Sequence, residues 1–236
     1  YIDSSTPAEA AVDTRKLSTL EQDRMSTELW RVDECQPGER RLTLYLPREA
    51  TLSELLPLFN DLGVTVTDEH PYRVQPAHGP AQYVLDFGLL AAEEYWQRSS
   101  EVFQEAVRAA WLDEIDSDPL QHLVLSAGLS VAQVMVLRTI TSYLRQLGVT
   151  YSPQHLQQVL CDNPDAAAAL VELFEKRFDP DVLPDPEERE AACAQVLERL
   201  SEMLVEAPSL DQEQILRGCR DVVMATVRTN FYQHDL

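Results

Sequence analysis

The chain has 236 residues, of which 44% are hydrophobic, enough to bury a core in one large domain or two small ones. Its 40 acidic and 19 basic side chains give a net charge of −21, and only two lysines are present. Such an acidic surface repels phosphate backbones and anionic lipids. We therefore expect neither nucleic-acid binding nor membrane-surface binding, and we interpret the acidity as a source of solubility.

No apolar run approaches the roughly 20 residues of a membrane span, and no basic segment leads into an apolar one as in a signal peptide. The first residue is Tyr1 rather than Met, so we expect a fragment of a longer chain. Free thiols in a reducing compartment fit the cysteine spacing best, which predicts a cytoplasmic protein. The cysteines are far apart in sequence, at Cys35, Cys161, Cys193 and Cys219.

Residues 1–92 predict an α+β module that begins with a helix. Pro7 after two hydroxyl residues is typical of a helix start, and we expect this helix to run to about Leu20. Alternating apolar and polar residues then predict four strands, and a capping box at Thr51 opens a helix between the second and third. The predicted strands cover 28–34, 40–46, 64–72 and 81–89, and the helix covers 52–62.

This order of elements predicts a four-stranded antiparallel sheet of the ferredoxin-like kind. In that fold the last strand lies antiparallel to the first. Here the strand at 28–34 fills that place by hairpin pairing with 40–46, because Gln36, Pro37 and Gly38 form a turn between them. A helix over 93–112 then supplies the second helix of the layer. The result is a circularly rearranged form of the small-molecule-sensing, ACT-like module.

Residues 93–236 predict an all-helical domain. Phe103, Val107 and Trp111 follow at four-residue spacing, which indicates one apolar stripe, and Trp96 extends it. We interpret this stripe as core rather than as a cofactor site. The predicted helices cover 93–112, 119–127, 130–147, about ten residues from 153, about fifteen from 164, 187–205 and 210–229, the last two as an antiparallel pair.

The sequence contains no motif that wraps a phosphate or presents a nucleophile. It lacks G-x-G-x-x-G after a strand, G-x-x-x-x-G-K-[ST] and G-x-S-x-G. Neither Lys16 nor Lys176 has surroundings that suggest catalysis. We therefore predict no catalytic, cofactor-binding or metal-binding residue within these 236 residues, and an independent enzyme is the weakest hypothesis.

Two groups of side chains invite a metal interpretation. His70 and His78 flank a predicted loop with Asp68 and Glu69, but their spacing is poor for a metal, and we interpret them as a solvated turn. The acidic residues at 113–118 lack the glycine and the final glutamate of a calcium loop. We interpret these and the acidic residues at 179–188 as helix ends and linkers.

The turn between the second strand and the following helix is the candidate binding site. Ligands of amino-acid-sensing modules of this fold lie near this turn, with a carboxylate on the helix-end amides. The turn here contains Arg48, Glu49 and Thr51 but lacks the glycine usual for close backbone approach. We therefore favour a structural role and retain an effector-binding turn as the alternative.

Four stretches, in this order, resemble the large bacterial NAD-specific glutamate dehydrogenases. The resemblance spans almost the whole chain and contains no catalytic signature. The stretches are RLTLYLPREATLSELLPLFNDLGVTVTDEHPY (41–72), LVLSAGLSVAQVMVLRTITSYLRQLGVTYS (123–152), ALVELFEKRFDP (169–180) and VRTNFYQ (227–233).

This resemblance implies the region just ahead of the dehydrogenase core: a last ACT-like module, then helices that lead into a catalytic domain lying beyond this chain. It implies a parent enzyme that oxidises L-glutamate with NAD, works as a homo-oligomer and has an amino-acid effector as a candidate ligand. Residues 228–233 would continue into the core, so we expect Phe231 and Tyr232 to be poorly packed here. The rival hypothesis is an autonomous amino-acid sensor or oligomerisation module of the ACT type.

Overall fold

The computed structural model describes residues 7–20, 24–31, 36–116, 118–182 and 185–233. Contacts divide the chain into two compact units, Tyr1–Leu125 and Ser126–Leu236, called here the sheet unit and the helical unit. The predicted α+β module followed by helices is confirmed. The predicted domain boundary at residue 92 stays a prediction; in the structure the helix after residue 92 packs with the sheet and belongs to the sheet unit.

The sheet unit begins with a helix and then builds a four-stranded antiparallel sheet. The strands pair in the order β1-β2-β4-β3, which is the ferredoxin-like order once β1 takes the place of the last strand. The predicted hairpin is therefore confirmed. The elements are α1 (Pro7–Ser18), β1 (Ser26–Trp30), β2 (Glu39–Leu46), α2 (Leu52–Asp61), β3 (Thr65–Val74), β4 (Gln82–Leu90) and α3 (Glu93–Trp111).

Several boundaries differ from those predicted. β1 covers only the start of the predicted strand over 28–34, and residues 32–34 lie outside the described part of the chain. Helix α2 begins at Leu52 and includes Pro57 at its sixth position, where the proline removes one backbone donor from the helix. Strand β3 extends to Val74 by pairing with β4, so Asp68, Glu69 and His70 lie on a strand and not, as predicted, in a turn.

The two faces of the sheet have different covers. Alternate residues of β2 and β4, such as Leu42 opposite Phe87, lie buried on the face that packs against α2 and α3. Phe59 of α2 meets Phe87 edge to face, with ring centroids 5.0 Å apart. On the opposite face Leu17 of α1 packs against Tyr45. The core stripe predicted on α3 is confirmed for Trp96 and Phe103, both buried, while Trp111 is only partly buried.

Gly38 joins the β1–β2 hairpin to the start of α3. Its backbone amide donates to the Glu93 carboxylate (2.8 Å), and its carbonyl accepts from the Trp96 indole (2.7 Å) and the Ala91 amide (3.0 Å). The buried Arg40 guanidinium donates to both Glu93 oxygens, at 2.8 and 3.1 Å. The Arg40 hydrogen bonds, followed by the Gly38 amide, lower the pKa of Glu93 to about 2.

The sheet unit ends in a short helical turn. A 3₁₀ turn over Pro119–Gln121 leads into α4 (His122–Ser126), where one continuous helix over 119–127 was predicted. Asp118 caps this turn by accepting from the Leu120 amide (3.0 Å), which confirms that this acidic residue marks a helix end. Ser99 of α3 donates to the Leu125 carbonyl (2.9 Å), so the turn is tied to the sheet unit.

The helical unit contains five further helices among its described residues. Ser130 and Gln133 form a reciprocal capping box at the start of α5. Asp185 caps α8 by accepting from the amides of Glu187 and Glu188, which confirms the helix-end interpretation of that acidic segment. The helices are α5 (Val131–Gln146), α6 (Pro153–Asp162), α7 (Pro164–Phe178), α8 (Pro186–Val205) and α9 (Leu210–Ala225).

Two expectations for the last helices need correction. Helix α8 packs mainly against α7, where Arg199 pairs with Glu172, and only secondarily against α9. Helix α9 ends at Ala225 rather than at residue 229, because the β-branched Thr226 adopts an extended conformation (φ −65°, ψ 127°). The chain from 226 to 233, called here the exit segment, then turns back over the unit.

Gly38→Ala is expected to lower the free energy of unfolding of the sheet unit by about 3 kcal/mol. The residue has a φ of +84°, and an added Cβ would lie 2.0 Å from the Ala91 carbonyl oxygen. Gly79 is a control in the same unit with a positive φ (+105°) and open space around it, so Gly79→Ala should cost only about 1–2 kcal/mol. Urea unfolding, followed by circular dichroism and tryptophan fluorescence, measures both; equal losses would contradict the role assigned to Gly38.

Candidate functional site

The turn predicted as an effector site is occupied by its own side chains. The Glu54 carboxylate accepts from the Thr51 amide (2.7 Å) and the Thr51 hydroxyl (3.1 Å). Arg48 donates to the same carboxylate (3.1 Å) and to the Glu49 carbonyl (3.0 Å). A ligand carboxylate at the Thr51 amide or the Arg48 guanidinium would have to displace Glu54, since that carboxylate already binds both.

The Arg48 guanidinium has a second partner. It lies over the Trp111 ring, with 4.2 Å between the guanidinium carbon and the ring centroid, as in a cation–π contact. In the structure, Arg48 and Thr51 both bind the Glu54 carboxylate, and the Glu49 carbonyl accepts from Arg48. Hydrogen bonds from Thr51 and from Arg48 lower the pKa of Glu54. Amino-acid binding at this turn stays a prediction.

A second polar group lies on the sheet face opposite α2 and α3. The Arg41 guanidinium pairs with Asp68 and with Asp86, each at 2.6 Å, and His70 Nδ1 lies 3.1 Å from Arg41 Nη2. Gly88 allows this arrangement, because a Cβ there would lie 2.3 Å from an Asp68 carboxylate oxygen. Burial opposes the charge on Asp68, but Arg41 outweighs it and lowers the pKa of Asp68. These residues act as an ion-pair network across three strands.

The described residues hold no metal centre or reactive thiol that we can identify. No three His, Cys, Asp or Glu side chains among them are grouped so as to bind a metal ion. Three free cysteines are described, and Cys35 lies outside the described part of the chain. Burial raises the pKa of the Cys219 thiol to about 12 and also raises that of Cys193. No described helix is long and apolar enough to cross a membrane.

The helical unit contains a cleft of about 650 Å³ between α5, α9 and the exit segment. Phe174 of α7 lies at its base, where its ring contacts Phe231 edge to face (5.7 Å) and Tyr232 nearly parallel (6.2 Å). Phe231 is 38% exposed and Tyr232 is partly buried. The expectation that both rings are poorly packed is thus only partly right, because both rings have a partner in Phe174.

Arg177 holds the start of the exit segment. Its Nη2 donates to the carbonyls of Met224 (3.2 Å) and Thr226 (3.1 Å) at the end of α9, where a cation also complements the helix dipole. Its guanidinium carbon lies 5.2 Å from the Phe178 ring centroid.

Burial, followed by the charges of Glu175 and Asp179, raises the pKa of Tyr232 to about 12.

Sequence reasoning missed Arg40, Arg41 and Arg177. The alternation along β2 places Arg41 on the face opposite Leu42, so the sequence alone could have predicted a polar residue on that face. The partners of Arg41 on β3 and β4 follow only from the strand register. The Arg177 contact joins residues 47 and 49 positions apart. The pattern of one helix carries no signal for such a contact.

Comparison with known proteins follows the same two segments. Residues 24–105 match the family model described as glutamate dehydrogenase, ACT3 domain, and residues 115–180 match glutamate dehydrogenase, helical motif 3. The chain is 34% identical over 242 aligned positions to an NAD-specific glutamate dehydrogenase of Mycobacterium tuberculosis, which covers 98% of this chain and 15% of the relative. This chain belongs to the family of NAD-specific glutamate dehydrogenases.

Two further relatives carry the same name. The NAD-specific glutamate dehydrogenase of Halomonas elongata is 35% identical over 77% of this chain and 11% of its own length. That of Pseudomonas aeruginosa is 30% identical over 100% of this chain and 15% of its own length. The resemblance drawn from the four sequence stretches is confirmed, and the chain spans only about a seventh of the Mycobacterium and Pseudomonas glutamate dehydrogenases.

Arg177→Met is expected to lower the free energy of unfolding of the helical unit by about 2 kcal/mol, because it removes two hydrogen bonds from a charged donor and keeps most of the side-chain volume. Arg217→Met is the control. Among the described residues Arg217 has one ion-pair partner, Glu213, one turn away on the surface of α9, and its loss should cost less than about 0.5 kcal/mol. Urea unfolding measures the loss for each variant. Equal losses would contradict the role of Arg177 in holding the start of the exit segment.

Proposed function

We propose that this chain is a non-catalytic structural and regulatory segment of an NAD-dependent glutamate dehydrogenase. The parent enzyme converts L-glutamate, NAD and water to 2-oxoglutarate, ammonium and NADH in the cytoplasm. NAD binds to the parent and not to this segment. The partners of the segment are the catalytic domain of the same polypeptide and other copies of the parent in a homo-oligomer.

The chemistry of the chain supports a non-catalytic role. The full sequence lacks a loop that could wrap the phosphates of NAD. The perturbed ionisable groups of the sheet unit have structural partners. Glu93 pairs with Arg40, and Arg41 pairs with Asp68 and Asp86; Glu54 binds Thr51 and Arg48, and Tyr45 donates to Asp13. Perturbed groups at a catalytic site instead converge on a cavity, and the residues that line the described cleft include no acidic, histidine, cysteine or lysine side chain.

The observation that carries the structural role is the Glu54 carboxylate at the start of α2. It binds the Thr51 amide and the Arg48 guanidinium, so the charged donor and one backbone donor of the turn are already engaged within it. A ligand carboxylate that uses these two donors would need this turn to open. The alternative of an amino-acid sensor at Arg48, Glu49 and Thr51 therefore has to include the displacement of Glu54.

The proposal predicts the behaviour of the full-length parent with two substitutions in the sheet unit. Glu93→Ala removes the partner of Arg40 and Gly38, and should lower the thermal stability of the assembly while intact assemblies keep their kcat. Thr51 is exposed, so Thr51→Arg should change neither assembly nor activity. Glutamate-dependent NADH production, with and without a panel of amino acids, and light scattering give the readouts.

Three outcomes decide against the proposal. Loss of an amino-acid response in Thr51→Arg would contradict the structural role assigned to this turn and favour the sensor. Absence of glutamate-dependent NADH production by the intact parent would reject the dehydrogenase function. Dehydrogenase activity of the 236-residue chain alone would reject the non-catalytic role.

A further inference from the structure

The cleft of the helical unit has the dimensions and apolar base of a small-molecule site. Its volume of about 650 Å³ falls within the range of ligand pockets, roughly 300–1,000 Å³. Val136 and Ile140 of α5 and Val222 of α9 form one side, and all three are buried. Phe174 and Phe231 contribute the edges of aromatic rings. This surface fits the hydrocarbon part of a ligand.

The exit segment supplies the polar side of the cleft. Arg228, Thr229 and Asn230 all line it, and Thr139 of α5 faces them as a further lining residue. Arg228 is exposed and forms no ion pair with any residue in the described part of the chain.

The residues that line the cleft carry a charge opposite in sign to that of the chain. Its lining residues include Arg228 but no aspartate and no glutamate, although the chain contains 40 acidic residues. A carboxylate ligand would therefore meet one cation and neutral donors, without a like charge in the lining. A single arginine and neutral hydroxyl and amide groups suit one carboxylate better than a polyphosphate, which needs several cations or a glycine-rich loop.

We propose that this cleft binds a small carboxylate with an apolar body and no cationic group, such as a hydrophobic 2-oxo acid. The carboxylate accepts hydrogen bonds from Arg228, and the apolar body lies on Val136, Ile140 and Val222. Because the ligand touches both α5 and the exit segment, its binding holds residues 226–233 against the helices. The site is separate from the turn at Arg48 and does not depend on the proposed function.

Isothermal titration calorimetry of the chain with 4-methyl-2-oxopentanoate tests the proposal, with 4-methylpentanamide and acetate as ligands that lack the charge or the apolar body. We expect a Kd of about 1 mM or tighter for the oxo acid, and binding weaker by at least about tenfold for the other two. Thr139→Trp, at an exposed lining position, should block binding by filling the cleft.

Arg228→Gln should weaken oxo-acid binding by about tenfold or more, because it removes the charged donor. Arg145→Gln is the matched control. Arg145 is exposed on α5 and does not line the cleft, and its substitution changes the net charge by the same amount. Arg145→Gln should therefore weaken oxo-acid binding by less than about twofold. Circular dichroism verifies that each variant keeps the helical content of the chain.

Absence of heat with the oxo acid, or equal binding of the neutral amide, would overturn the proposal. Equal weakening by Arg228→Gln and Arg145→Gln would do the same, since it would show a general charge effect. The titration requires no dehydrogenase activity, so its failure would leave the proposed function standing.

Discussion

The junction of Gly38, Arg40, Glu93 and Trp96 closes the sheet unit, and the rearranged strand order makes this contact necessary. In the unrearranged ferredoxin-like order, the second helix leads directly into the strand that pairs with the first. Here that strand is β1, which comes earlier in the chain, so no peptide connection ties α3 to it. Non-covalent contacts must therefore hold α3 against β1 and the hairpin that follows it. The Gly38 backbone supplies three of them.

A second set of contacts holds the other part of α3 against the same edge strand. Arg108 donates to the Thr27 hydroxyl at 2.6 Å, and that hydroxyl lies 3.3 Å from the Gln104 side-chain oxygen. The scarce cations of this acidic chain are thus used as clamps: Arg40 and Arg108 between the sheet and α3, Arg41 across the strands, and Arg177 at the end of α9. Replacing an arginine in such a position by lysine would lose the fork of donors that makes two bonds at once.

Sequence patterns predicted the elements well because their signals are local. The alternation in β2 and β4, the capping box at Thr51 and the glycine turn at Gly38 each act within a few residues, and the ferredoxin-like order followed from the element sequence and the hairpin. The end of α9 was predicted four residues too late, because Thr226 to Thr229 are polar or β-branched but carry no proline or glycine to mark the stop. The site was less predictable. Residues 48–51 could be chosen from the fold, but the Arg48 contact with Trp111 spans 63 positions, and the cleft joins three helices to the exit segment.

The Glu93 carboxylate closes the rearranged sheet by binding Arg40 and Gly38. The pKa of Glu93 is held at about 2 in the folded chain, below its ordinary value of 4.5, so the stabilisation is complete above pH 4.5 and is lost as the pH falls towards 2. The most direct measurement is the difference in unfolding free energy between the chain and Glu93→Gln across that pH window, with the exposed neighbour Glu94→Gln as control. We predict that the advantage of the chain over Glu93→Gln shrinks steadily between pH 4.5 and 2, while the difference from Glu94→Gln stays small throughout. An advantage over Glu93→Gln that does not change with pH, or that matches the effect of Glu94→Gln, would contradict the account.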